Sequence, residues 1–302
     1  MSGGCEKKII YVGKSENLLS RLIEHFCAMD TLKKNIIKRV CEKAHENIYC
    51  YMNPYLWHED VEVVLIVDVE KLEHELEGKI LRVKDVVDYI EQELKSNPND
   101  DLIKKLDNLK ILEELKDKVE GYLETLGKLD NLETLEKLKA ELYDALKKLK
   151  EILEEELKKT KPNKNLKNKL KKLEELKDKL NKYQGDLKTL KGILIDLTGI
   201  LIDLTLETLE DILIDLTQPH LNKKNNKKDE TLKDLKQKFK SYLCDYGLSI
   251  EELVKKKKKL KSVGGCYIIK HSILPEELTC CIKSMLFREN NSELFRKFCC
   301  NK

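Results

Sequence analysis

Residues Lys8–Phe26 read KIIYVGKSENLLSRLIEHF, and the fold hangs on them. Ile9, Ile10, Tyr11 and Val12 form an apolar run that predicts a short strand. Gly13 is expected to end it, and Lys14-Ser15-Glu16-Asn17 is a polar turn. Leu18, Leu19, Leu22, Ile23 and Phe26 then recur at helical spacing. Arg21 and His25 are four apart, so they share a face beside that stripe. Strand, turn and helix thus carry Tyr11, Lys14, Arg21 and His25 towards one edge. An ordinary strand–helix pair with a solvated Arg and His is the reading that needs no chemistry.

Outward from this block, composition narrows the class. The chain has 302 residues, enough for one to three domains, with 37% charged and 6% aromatic residues. Such a balance belongs to long charged helices more than to one aromatic-rich core. Net charge is only +3, so clustered lysines matter more than the total. The ten cysteines follow a short polar N-terminus without a signal-peptide pattern, which predicts reduced thiols in an intracellular protein. No apolar run has the length of a membrane span.

Leu32 to His45 reads as a helix, and Tyr49, Tyr51, Tyr55 and Trp57 gather around Asn53-Pro54. Packing is the simpler account of these aromatics, base stacking the other. Val61 to Val69, VEVVLIVDV, is β-branched and continuous, which predicts a central strand. Glu70 to Ile80 reads as an acidic helix, and Ser96 to Asp101 as a boundary.

The block Ile10-Tyr11-Val12-Gly13-Lys14-Ser15, then Asn17-Leu18, Arg21-Leu22 and His25-Phe26, resembles the second half of the GIY-YIG nuclease signature, in the form of bacterial excision-repair incision subunits. The resemblance implies a metal-dependent endonuclease. Tyr11, Arg21 and His25 would face the scissile phosphate, Lys14 would bind phosphate, and a downstream glutamate would hold Mg²⁺ or another divalent cation. Glu77, in Leu76-Glu77-Gly78-Lys79-Ile80-Leu81, matches that glutamate, with Glu73 second. The family's first strand, Gly-Ile-Tyr, should precede Tyr11 by about ten residues, and residues 1–7 hold no tyrosine. Near the other end, Gly264-Gly265-Cys266-Tyr267-Ile268-Ile269 has that Gly-x-Tyr form. A local hairpin in a separate C-terminal domain is its simpler reading. The alternative is that it docks beside Ile9–Val12 and supplies Tyr267, since loop-closure entropy grows only slowly with length.

From Leu102 to Leu157 leucines recur at three and four, with Gly121 and Gly127 as possible dividers. A second ladder runs from Leu166 to Leu190. Thr160-Lys161-Pro162-Asn163 separates them, because proline cannot continue a helix. An antiparallel helical hairpin or coiled coil follows, with self-association open to it. The expected architecture is α+β: a sheet–helix domain at 1–95, a leucine-rich hairpin at 96–218, and a basic, helical, cysteine-containing region at 219–302.

The hexapeptide ILIDLT occurs three times, at Ile193–Thr198, Ile200–Thr205 and Ile212–Thr217. It resembles the SUMO-interacting motif, which adds a strand to the edge of SUMO's sheet. The resemblance implies contact through Ile193, Leu194, Ile195, Asp196 and Leu197, through Ile200, Leu201, Ile202, Asp203 and Leu204, and through Ile212, Leu213, Ile214, Asp215 and Leu216. Glu207, Glu210 and Asp211 would add acids, and several copies would favour SUMO chains. A core helix is the equal alternative, because Leu190, Leu194, Leu197, Leu201 and Leu204 continue the ladder. Against a helix stand Gly192 and Gly199.

Lys255 to Lys259, and Lys223-Lys224 with Lys227-Lys228, are runs suited to phosphate contact or nuclear import, or simply to a solvated face. Cys280-Cys281 and Cys299-Cys300 lack zinc-site spacing. The leading expectation is a nuclear, SUMO-recruited DNA endonuclease, whose Tyr11, Arg21 and Glu77 converge on one concave face. The second is a non-enzymatic coiled-coil adaptor binding SUMO chains and DNA. The third is a purely structural coiled coil.

Overall fold

The computed structural model describes residues 8–18, 21, 61–67, 79–96, 98–126, 132–159, 164–183, 186–219, 222, 232–249, 252 and 264–271. His25 and Glu77 lie outside these residues, as do Leu32–His45, the aromatics at 49–57, all the lysine runs and both cysteine pairs. The fold is mixed α+β and has two compact units. One joins Met1–Asn99 to Glu210–Lys302, and the other is Asp100–Leu209. The two ends of the chain therefore build one unit, where separate N- and C-terminal domains were expected. No described helix is long and apolar enough to cross a membrane.

The first unit holds a mixed sheet of β1 (Lys8–Ser15), β2 (Val61–Val67), β3 (Ile80–Arg82), β4 (Leu248–Ser249) and β5 (Gly265–His271). The order is β1-β5-β2-β3, and β4 also pairs with β2. β5 is antiparallel to both neighbours, from Lys8↔His271 to Ser15↔Gly265 on one side and from Val61↔His271 to Val67↔Gly265 on the other. The segment read as a local hairpin is thus the strand beside Tyr11. Val63–Ile66 and Cys266–Ile269 are wholly buried, which explains their unbroken apolar run: both faces of these strands are covered. Residues Ile80–Arg82, where the end of a helix was expected, form a short strand parallel to β2, and α1 (Val83–Leu94) begins only after them.

Two glycines let the strands close up. Gly13 does not end β1, which runs on to Ser15. A Cβ at Gly265 would collide with the Ile66 carbonyl oxygen and come within 3.1 Å of the Val67 Cα. On the far face of β5, the Lys270 ammonium is buried and donates to the carbonyls of Leu243 at 3.2 Å and Tyr246 at 2.6 Å, beside Glu62 at 3.3 Å. Those carbonyls flank the short helix Leu243–Asp245 that follows α6 (Lys233–Tyr242). Tyr89 of α1 stacks on Tyr242 of α6 with centroids 4.1 Å apart, fastening the two helices.

The second unit is built from α2 (Asp100–Thr125), α3 (Leu132–Lys159), α4 (Lys164–Asn181) and the part of α5 (Leu187–Thr217) up to Leu209. Its leucines meet in one buried cluster that runs from Leu112 to Leu204. Ion pairs and hydrogen bonds give the helix directions. Lys104 pairs with Glu155 and Tyr122 with Glu141, so α2 and α3 are antiparallel. Lys150 pairs with Glu174 and Lys177 sits over Tyr143, so α3 and α4 are antiparallel across Pro162. Lys179 pairs with Asp196, and Lys169 with Asp203 and Glu207, so α4 and α5 are antiparallel too.

All three ILIDLT copies lie in α5. Leu194, Leu197, Leu201, Ile212, Leu213 and Leu216 are wholly buried, while Ile195 is 53% exposed. The extended conformation expected for strand addition is not the one observed. Gly192 and Gly199 sit on the open side of the helix with nothing near their missing Cβ atoms. Their cost of roughly 1 kcal/mol each is offset by the buried leucines.

Candidate functional site

The site begins with strand register. Gly13 pairs with Tyr267 and Tyr11 with Ile269. Side chains alternate along a strand, so Tyr11, Gly13 and Tyr267 share one face. Tyr267 stands opposite a residue with no side chain, and its ring lies over that gap to reach Tyr11 diagonally. The ring centroids are 5.9 Å apart, tilted by 47°. A Cβ on Gly13 would lie 2.6 Å from the Tyr267 Cζ and hydroxyl and 2.7 Å from the Tyr11 Cε1. The glycine of Tyr-Val-Gly is therefore what permits the pair. Register slips between Ile9 and Tyr11, a bulge just before Tyr11 that sets where its ring points.

Arg21 arrives from the turn after β1. The Ser15 hydroxyl donates to the Asn17 carbonyl at 2.9 Å and accepts from the Asn17 N–H at 3.1 Å. That closed turn starts the helix, and the Arg21 N–H donates to the Asn17 carbonyl at 3.1 Å. The Arg21 side chain hydrogen-bonds both tyrosines, which also bond each other.

Burial raises the Tyr267 phenol well above its ordinary value, Tyr11 adds to the rise, and the Arg21 charge opposes it. Burial also raises Tyr11, the Glu210 carboxylate adds to this, and hydrogen bonds from Tyr267 and Arg21 pull the other way. Both phenols are therefore proton donors at neutral pH. Tyr11 can orient a water or an anion, but as a phenolate base it would be scarce. A phenol and a guanidinium on one face, the phenol held by a buried second tyrosine, suit a tetrahedral oxyanion.

Of the residues singled out from sequence, Tyr11 and Arg21 come together. Alternation along β1 puts Lys14 on the opposite face from the tyrosines. Tyr267, the less favoured reading of its segment, is in the cluster. Glu210, read as one acid among the repeats, lies on α5 where its charge bears on Tyr11. Its signal was in the sequence: Asp196, Asp203 and Glu210 recur every seven residues. The first two are taken by Lys179 and Lys169.

No protein-family model, curated protein or solved structure matches this chain.

Proposed function

We propose that the chain hydrolyses phosphodiester bonds in DNA through a GIY-YIG-type site assembled in permuted order, with the Gly-x-Tyr strand supplied by Gly265-Cys266-Tyr267. One observation carries this reading. Tyr11, Tyr267 and Arg21 are hydrogen-bonded to one another on a single sheet face, around a glycine whose replacement would clash with both rings. Arg21 would take the charge of the phosphate and Tyr11 would donate to its oxygens, while the wholly buried Tyr267 donates to Tyr11 and holds it in place. A divalent cation would supply charge neutralisation and an activated water. Glu77 would hold it by the family resemblance. Glu210 is a carboxylate whose charge acts on Tyr11, and one carboxylate with waters and a phosphate suits Mg²⁺.

The test is nicking of supercoiled plasmid by the full chain with Mg²⁺. Tyr11→Phe and Arg21→Ala should each lower the rate by about a hundredfold or more, the scale of a lost transition-state donor, and Tyr267→Phe, which releases Tyr11, should lower it by up to about a hundredfold, the scale of a misplaced group. A wild-type rate in Tyr267→Phe would end the permuted-site reading.

A second reading has its own support. A phenol and a guanidinium, with no phenolate expected at neutral pH, are sufficient to bind an anion without cleaving it. A DNA-binding adaptor is then the function, and absence of nicking with retained, salt-dependent DNA binding would favour it. Recruitment by SUMO chains is supported by the repeated hexapeptide alone. Strand addition would require α5 to unwind and give up its buried leucines. Self-association through the leucine ladders belongs to the same adaptor reading.

A further inference from the structure

β1 is the outer strand of the sheet path β1-β5-β2-β3, and an outer strand has backbone groups that need covering. At Val12 a single side chain covers them. The Val12 N–H donates to Asn222 Oδ1 at 2.9 Å, and Asn222 Nδ2 donates to the Val12 carbonyl at 2.7 Å. A side-chain amide carries the donor and acceptor of a peptide group. Asn222 thus stands in for one residue of a further strand. Val12 is wholly buried and follows Tyr11 directly. With both of its polar groups pinned, the backbone that aims Tyr11 has little room to turn.

Asn222 lies five residues beyond the end of α5. The last turns of α5 bury Ile212, Leu213 and Leu216, and the Thr217 hydroxyl donates to the Leu213 carbonyl at 2.6 Å. The Gln218 N–H closes the helix on the Ile214 carbonyl at 2.8 Å, with the chain turned to a φ of 45°. Pro219 is buried, and Asn222 is three positions on. The same end of α5 carries Glu210. The Asn222 amide thus bonds the Val12 backbone, and the Glu210 charge from α5 acts on the neighbouring Tyr11.

We propose that Asn222 is a positioning residue for the tyrosine site, a one-residue surrogate strand that fixes β1 at Val12 and so holds Tyr11 against Tyr267 and Arg21. Its activity arm rests on the phosphodiesterase reading, and its structural arm does not. The test uses the full-length chain with ¹³Cζ-labelled tyrosine, followed by NMR through an alkaline titration. The charged and titratable groups acting on Tyr11 are Tyr267, Arg21 and Glu210. Asn222→Ala removes both bonds. Asn222→Asp keeps the acceptor for the Val12 N–H and loses the donor to its carbonyl.

The expected result is a displaced Tyr11 resonance that titrates earlier in Asn222→Ala, with Asn222→Asp between it and the wild type. Tyr89 and Tyr242, stacked on each other, should not move and so report intact folding. A Tyr11 signal unchanged in Asn222→Ala overturns the proposal. Should that variant fail to fold, an unchanged Tyr11 in Asn222→Asp overturns it equally. In plasmid nicking, kcat should fall about tenfold to a hundredfold with KM unchanged, the scale of a small misplacement at a site. Nicking at the wild-type rate by a folded Asn222→Ala also overturns the proposal. If Tyr11 moves but the wild-type chain nicks nothing, the phosphodiesterase reading fails and the positioning role stands.

Discussion

The two units are held together in opposite ways. In Asp100–Leu209 each helix packs on the next in sequence, and lysine–carboxylate pairs link the neighbours. In the sheet unit the decisive contacts are the most distant in the chain: β1 lies against β5, and Val12 against Asn222. The helical unit tolerates glycine on its outer faces, whereas β1 and β5 need it where they meet a ring or a neighbouring strand. Redundant local contacts make a robust scaffold. Unique distant contacts make a site.

The largest effect expected of this contrast comes from the sheet glycines. Gly265→Ala would drive a Cβ into the backbone of β2, and Gly13→Ala would drive one into the two tyrosine rings. Overpacking of this kind costs about 1–3 kcal/mol, with Gly265→Ala the worse because backbone cannot swing aside as a ring can. Denaturant melts followed by tyrosine fluorescence should show it. Wild-type stability in Gly265→Ala would mean that β5 does not sit where it is described.

Next comes Lys169, which is buried on α4 and pairs with Asp203 at 2.6 Å and with Glu207. Lys169→Ala leaves two partly buried carboxylates facing each other. Breaking a buried pair costs about 3–5 kcal/mol, and half that is reasonable here because the acids are partly solvated. The loss should appear as a lower midpoint in circular dichroism. A variant as stable as wild type would remove the pair as the link between α4 and α5.

The smallest effect sharpens the comparison from the other side. Gly192→Ala and Gly199→Ala should each stabilise α5 by about 1 kcal/mol, since alanine is the better helix former and nothing stands in its way. A loss of stability in either would indicate that the repeats spend their time in some other conformation.

How far the sequence could be read follows the same division. The leucine ladders of α2, α3 and α4 were legible because helix period and burial are local signals. The break before α5 was not, because Leu180, Leu187 and Leu190 continue a plausible ladder. Asp186 makes the difference: its carboxylate takes the Lys188 N–H at 3.1 Å and the Thr189 N–H at 3.0 Å, starting a new helix. Those bonds, led by one from the Thr189 hydroxyl, hold its pKa below the usual carboxylate value. In the site, Tyr11 and Arg21 could be placed from one continuous stretch. Tyr267 could only be guessed, because pairing between distant strands leaves no periodic mark. Asn222 was not visible at all: an asparagine in a lysine-rich linker carries no sign of the backbone it will bond.

The pairing of β1 with β5 also sets a schedule. Tyr267 follows Tyr11 by 256 residues along the chain. At ~5–20 residues per second, roughly ten to fifty seconds separate them. Through that interval the nascent chain can form its helical unit beside the ribosome while the tyrosine pair does not yet exist. The tyrosine pair cannot form until β5 has been made.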